Sequence, residues 1–156
     1  MATKSLETLV LPVLASMPVT MQRSANSSLI RFGWKIFQAT YIWRVVDHTK
    51  QQVLAIEVRN IASVAPDDTD FLLQINAVND TCIGKFSIVD QDRLAYCLEL
   101  PYTQESTPAL FQHALFLALD TVATHHEGWL QAAKVSVLQN DLHEAGLFDR
   151  IKDAFG

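Results

Sequence analysis

Two cysteines in 156 residues are too few for a fold held together by disulfides, and neither belongs to a C-x-x-C pair of the kind that holds zinc. Positive charge is also short, with 12 Lys and Arg against 17 Asp and Glu, a net charge of -5 and a pI near 5.4. A protein that gathers phosphate backbones carries the opposite balance, so nucleic acid is not an expected partner. No run approaches the ~18 apolar residues of a membrane span. The signatures of common chemistry are missing as well: there is no G-x-S-x-G, no glycine-rich phosphate loop and no Cys–His arrangement at a known spacing. No catalytic residue and no cofactor are therefore expected, and the reading is of a non-enzymatic protein.

What is present is a composition of 49% hydrophobic and 19% charged residues in 17.5 kDa, enough to bury a core and far from a disordered chain. The two cysteines, Cys82 and Cys97, read as small apolar fillers in a reducing, cytoplasmic setting. The apparent metal motifs fail on geometry. Asp67, Asp68 and Asp70 lack the glycine and glutamate that a calcium loop needs at its sixth and twelfth places. His125 and His126 diverge by ~100° on a helix, so they do not share an ion as an i, i+4 pair does. By helical position His125 falls at the edge of the core arc and His126 on the polar side.

The order of elements is helix, strands, helix, strands, helix. An amphipathic first helix is expected from about Ser5 to Ala15, and "VTMQRS" supplies a short strand. The β-branched and aromatic stretch 30–61 forms antiparallel strands turning at "DHTKQ", with Leu54, Ile56 and Val58 on one face and Val53, Ala55 and Glu57 on the other. "FLLQINAVND" follows as a short helix with Asp68 or Thr69 as N-cap and with Phe71, Leu72, Ile75 and Val78 at helical spacing. A hairpin comes next, "IGKFSIVDQDRLAYCLELPY", turning near Gln91. This places Cys97 opposite Lys85 or Phe86 and Cys82 opposite Leu100 or Pro101, so the two thiols do not pair. Phe86, Leu94, Tyr96, Leu98 and Leu100 belong to the core side.

The long helix opens at "STPALF", with Ser106 or Thr107 as N-cap and Pro108 at the first position, and is expected to stop at Gly128. Its apolar residues, Leu110, Phe111, Ala114, Leu115, Leu117, Ala118, Leu119 and Val122, fill an arc of about 200°, about twice what packing on one sheet face requires. Phe116 lies outside even that arc. A second burying surface is implied: either the C-terminal amphipathic piece covers the excess within one chain or, as preferred here, a two-fold homodimer contact does, with Phe116, Ala114 and Ala118 as interface candidates.

A short helix leading through I-G-K-F into a hairpin that ends E-L-P, followed by T-P opening a long helix, resembles the YbjN family and the related type III secretion chaperone-like fold. The likeness is clearest over about residues 70–130. It implies an α+β fold, a twisted antiparallel sheet with helices packed on it, which commonly forms homodimers. Secretion chaperones of that fold hold an extended client segment in apolar grooves. YbjN relatives are described as regulators of sensory transduction without defined chemistry.

Residues 1–130 thus read as a single α+β chaperone-like domain and 131–156 as a C-terminal helical extension. Trp129 to Leu138 is expected to form a separate helix. In "GLFDRIKDAFG", Leu147, Phe148, Ile151 and Phe155 share one face and join the interface candidates. The expected function is chaperone- or adaptor-like binding of a protein client or regulatory partner through apolar surface. The alternative is a regulator that senses a small ligand or ion in a pocket. Open apolar surface would favour the first, and a closed pocket with converging polar groups the second.

Overall fold

The computed structural model describes the backbone of residues 5–23, 27–65 and 67–155, and side chains as far as Lys134. The chain is α+β. Six strands, β1 (Met21–Arg23), β2 (Leu29–Ile36), β3 (Ala39–His48), β4 (Val53–Ser63), β5 (Lys85–Val89) and β6 (Arg93–Pro101), form one antiparallel sheet in the order β1-β2-β3-β4-β6-β5. The helices pack against a single face of it. A π-helical turn, Leu6–Val10, runs into α1 (Leu11–Ala15); α2 is Thr69–Asn79 and α3 is Pro108–Phe155. The π turn has a local cause. Pro12 has no N–H and its ring would collide with a carbonyl four residues back, and the wider turn, closed by Leu11 N–H on Leu6 C=O, precedes it.

The alternation read from the sequence sets the facing of the sheet. Phe32, Trp43, Val58, Tyr96 and Phe86 stand in one row across five strands, all at most 2% exposed. Ile30, Val45, Ile56 and Leu54 add to the same face. From above, Phe111, Leu115, Ala118 and Val122 of α3 close on it, and Trp129 packs its ring against Phe71 of α2 (5.4 Å between centroids) and Phe86 of β5 (5.0 Å). Aromatic rings at these separations contribute roughly 0.5–1.5 kcal/mol beyond the area they bury.

The β5–β6 hairpin has the expected register, Lys85 opposite Cys97, and both cysteines are free. Leu98 and Leu100 are only partly buried, because β5 ends opposite Cys97 and leaves this part of β6 at the edge of the sheet. Two devices fix the hairpin beneath α2. Asn79 Nδ2 donates to Phe86 C=O and its Oδ1 accepts from Phe86 N–H, both at 2.8 Å, so one side chain completes the ladder on an edge strand. Gly84 has φ +76°, and a Cβ there would meet Tyr96 Oη and lie 2.7 Å from Cys97 C=O. Tyr96 Oη itself donates to Ile83 C=O.

Two expectations need correction, and a third is narrowed. The long helix does not stop at Gly128 and no separate helix starts at Trp129, since α3 is unbroken from Pro108 to Phe155. Glycine inside a helix costs only about 1 kcal/mol, and the buried Trp129 immediately after it anchors the next turn in the core. Leu72 is 46% exposed although it sits at helical spacing with Phe71 and Ile75, because α2 touches its neighbours along a narrow stripe. The N-cap of α2 is Asp68, whose Oδ1 accepts from Phe71 N–H at 2.9 Å, and the alternative at Thr69 falls away.

Candidate functional site

The expected interface residues separate into three groups. Ala114 and Ala118 are 6% and 0% exposed, packed in the chain's own core. Their small size lets α3 lie close to the sheet, and they have no free surface for a second copy. Phe116 points outward and is 45% exposed. Leu147, Phe148, Ile151 and Phe155 lie outside the described side chains.

Phe116 begins a strip. Residues seven apart return to nearly the same side of a helix, and Phe116, Ala123 and Leu130 follow that spacing on the outer side of α3. Leu130 is 37% exposed and Ala123 is half-buried. Next to the strip, Phe37 of the β2–β3 turn stacks on the His126 ring (5.8 Å between centroids, 27° between planes) while remaining 71% exposed. Phe37 has φ +54°, an uncommon conformation for an aromatic residue. A second apolar group, Leu72, Leu73 and Ile83, is exposed on α2 and the loop after it.

His126 is 4% exposed, contrary to the polar-side position expected from helical geometry alone. Tyr41 Oη is hydrogen-bonded to His126 Nε2, and the two rings meet edge-on at 5.3 Å. The hairpin β2–β3 reaches over the helix and covers a position that an isolated helix would leave to water. Burial holds the His126 imidazolium pKa below its ordinary value. His125 faces the core edge instead, with its ring edge-on to Phe86 at 5.9 Å.

Asp47 is the functional candidate that sequence reasoning missed. By sequence it opens the polar turn "DHTKQ", yet it continues the inward alternation of Trp43 and Val45 and is 3% exposed. Its carboxylate accepts from Ser5 Oγ and from Tyr102 Oη, the latter at 2.6 Å. Beside it lies an open, polar cavity of about 410 Å³ lined by Ser5, Thr8, Gln52, Tyr102, Gln104 and Ser106, among others. Burial and the bond to Asp47 raise the Tyr102 pKa above its ordinary value. The signal was available in the period-two pattern of β3, carried one residue further than the turn residues suggested.

Among the described residues, no group of three His, Cys, Asp or Glu side chains is placed to hold a metal ion, and no helix is long and apolar enough to cross a membrane.

No curated protein and no solved structure matches the chain. The family model described as "Putative bacterial sensory transduction regulator" matches residues 8–130. That span runs from the first helix through the strip on α3, and with the antiparallel sheet and one-sided helical cover it shows that the chain belongs to the YbjN family.

Proposed function

We propose that this YbjN protein is a non-enzymatic, chaperone- or adaptor-like module that works in the cytoplasm and binds a protein partner through apolar surface, as a homodimer. The observation that carries the reading is the exposure of Phe116 and Leu130, with the partly buried Ala123 between them, on the outer side of a helix that continues to Phe155. The helical extension from residue 131, helical as far as Phe155, adds about 37 Å at 1.5 Å per residue. A single chain leaves this strip to water, whereas a two-fold contact sets the same strip against itself. Leu72, Leu73 and Ile83 then remain for a client.

Sedimentation at micromolar concentration tests the assembly. Wild type is expected at twice 17.5 kDa. Phe116→Asp should sediment as the monomer, because desolvating the new carboxylate costs several kcal/mol. A wild type at 17.5 kDa would remove the dimer, and a dimeric variant would move the contact away from the strip. A second reading, a sensor of a small polar ligand, rests on the cavity backed by Asp47. Its polar, open form supports it less well than a closed pocket would.

A further inference from the structure

The helix-free face of the sheet has a charge opposite to that of the protein. The alternation that turns Phe32, Trp43, Val58 and Tyr96 inward turns Arg31, Arg44, Glu57 and Cys97 outward in one continuous row. The same parity places Lys35, Arg59, Arg93 and Glu99 on that face, whereas Lys85, on the edge strand, turns its Nζ back to donate to Asn79 C=O of α2 at 2.7 Å. Five of the 12 basic residues of the chain therefore stand there, against Glu57, Glu99 and, at the turn beside Arg93, Asp92 (3.5 Å). The face carries two more positive than negative charges, so the remainder of a chain of net charge -5 carries a surplus of seven negative ones.

The centre of the face is built. Glu57, with a side chain 15% exposed, lies between Arg44 Nε at 3.0 Å and Arg59 Nε at 3.4 Å. Glu57 is thus a charge partner beside two guanidinium groups, with Arg44 Nε and Glu57 Oε1 both buried and without a hydrogen bond. A guanidinium can meet a second carboxylate in the two-pronged geometry that arginine offers and lysine does not. Ile42, 58% exposed, and the half-buried Val46 lie among these bases.

We propose that this open sheet face binds an acidic segment of another protein, one that interleaves carboxylates with aliphatic side chains. The surface is distinct from the helix strip and takes a partner of different chemistry. A nucleic acid fits it less well. Among the described residues the strands present no Phe, Tyr or Trp ring there on which a base could stack, and Glu57 at its centre opposes a row of phosphates. The apolar contacts at Ile42 and Val46 also have no counterpart in a sugar–phosphate backbone.

The experiment titrates the full-length protein into a fluorescein-labelled peptide of alternating glutamate and leucine, about twelve residues long, in about 50 mM NaCl and again in about 300 mM NaCl, where screening is stronger. Fluorescence anisotropy reports binding, and a single-stranded oligonucleotide of similar length serves as comparator. The peptide is expected to bind more tightly than the oligonucleotide and to weaken with salt. Arg31→Glu combined with Lys35→Glu should cost about tenfold in affinity, with circular dichroism confirming the fold. Lys50→Glu, in the β3–β4 turn outside the strands, and Phe116→Asp, on the helix strip, should each stay within about twofold. No peptide binding at the lower salt, an equal loss from Lys50→Glu, or tighter binding of the oligonucleotide would each overturn the proposal. Loss of binding in Phe116→Asp would overturn it too, because binding would then belong to the helix strip.

Discussion

The two faces of the sheet are built from the same strands and behave as different materials. On the covered face, aromatic and β-branched residues from five strands form a row at most 2% exposed, roofed by α3 and α2. On the open face the row one residue over is Arg31, Arg44, Glu57 and Cys97. Only Ala55 and Ala95 are buried there, at 2% and 5%, small residues overshadowed by long neighbours. The difference teaches that stability and recognition can be divided between odd and even positions of one strand, with little trade-off between them.

The comparison breaks most severely if the roof is removed. Trp129→Ala empties the space between Phe71 and Phe86 and should cost about 3–5 kcal/mol in chemical denaturation; a loss below about 1 kcal/mol would mean that α3 does not anchor there. Gly84→Ala should cost about 2 kcal/mol or more, from a side chain at positive φ and the collision with Tyr96, and an unchanged denaturation midpoint would rule out that backbone geometry.

The next effect depends on pH. His126 has a folded-state pKa below its unfolded value of about 6.5, so the unfolded chain binds the extra proton first. The contribution of His126 to stability is then complete above that value and falls away as pH drops below it and through the folded pKa. Melting temperature between about pH 7.5 and 5 should fall less in His126→Phe than in wild type; parallel curves would place the titration elsewhere.

The smallest change in stability should come from the open face. Glu57→Gln is expected to cost about 1 kcal/mol or less, as a partly exposed ion pair does. It sharpens the comparison by another route. Burial first, then the charges of Glu57 and Glu99, push the Cys97 thiol up to about 11. Removing one of those charges favours the thiolate, so Cys97 should react faster with iodoacetamide at pH 8 in the variant. An unchanged rate would show that burial alone governs the thiol.

Much of this was legible in the sequence wherever a local rule and a tertiary need coincide. Period-two alternation in β4 and β6, the turn at Gln91, Asp68 before an apolar run and Pro108 opening a helix each impose one local geometry, and a packed neighbour confirms it. The candidate site was less legible. Ala114 and Ala118 looked like interface residues because a helix wheel gives the width of an apolar arc but not which elements fill it, and here the sheet and the first helix take most of it. Asp47 and His126 were misplaced for a related reason, since each is covered by groups distant in sequence: Tyr102 is 55 residues from Asp47 and Tyr41 is 85 from His126.

The sequence by itself determined the α+β class, the strand facing, the hairpin register and the family, because these depend on side-chain period, turn chemistry and capping over a few residues. Tertiary structure alone decided that Gly128 does not end α3, that a histidine on the polar arc is buried, and that an acidic chain presents a basic face. Net charge is a sum over all residues and is blind to position. Only pairing four strands in register brings bases scattered from Arg31 to Arg93 onto one surface.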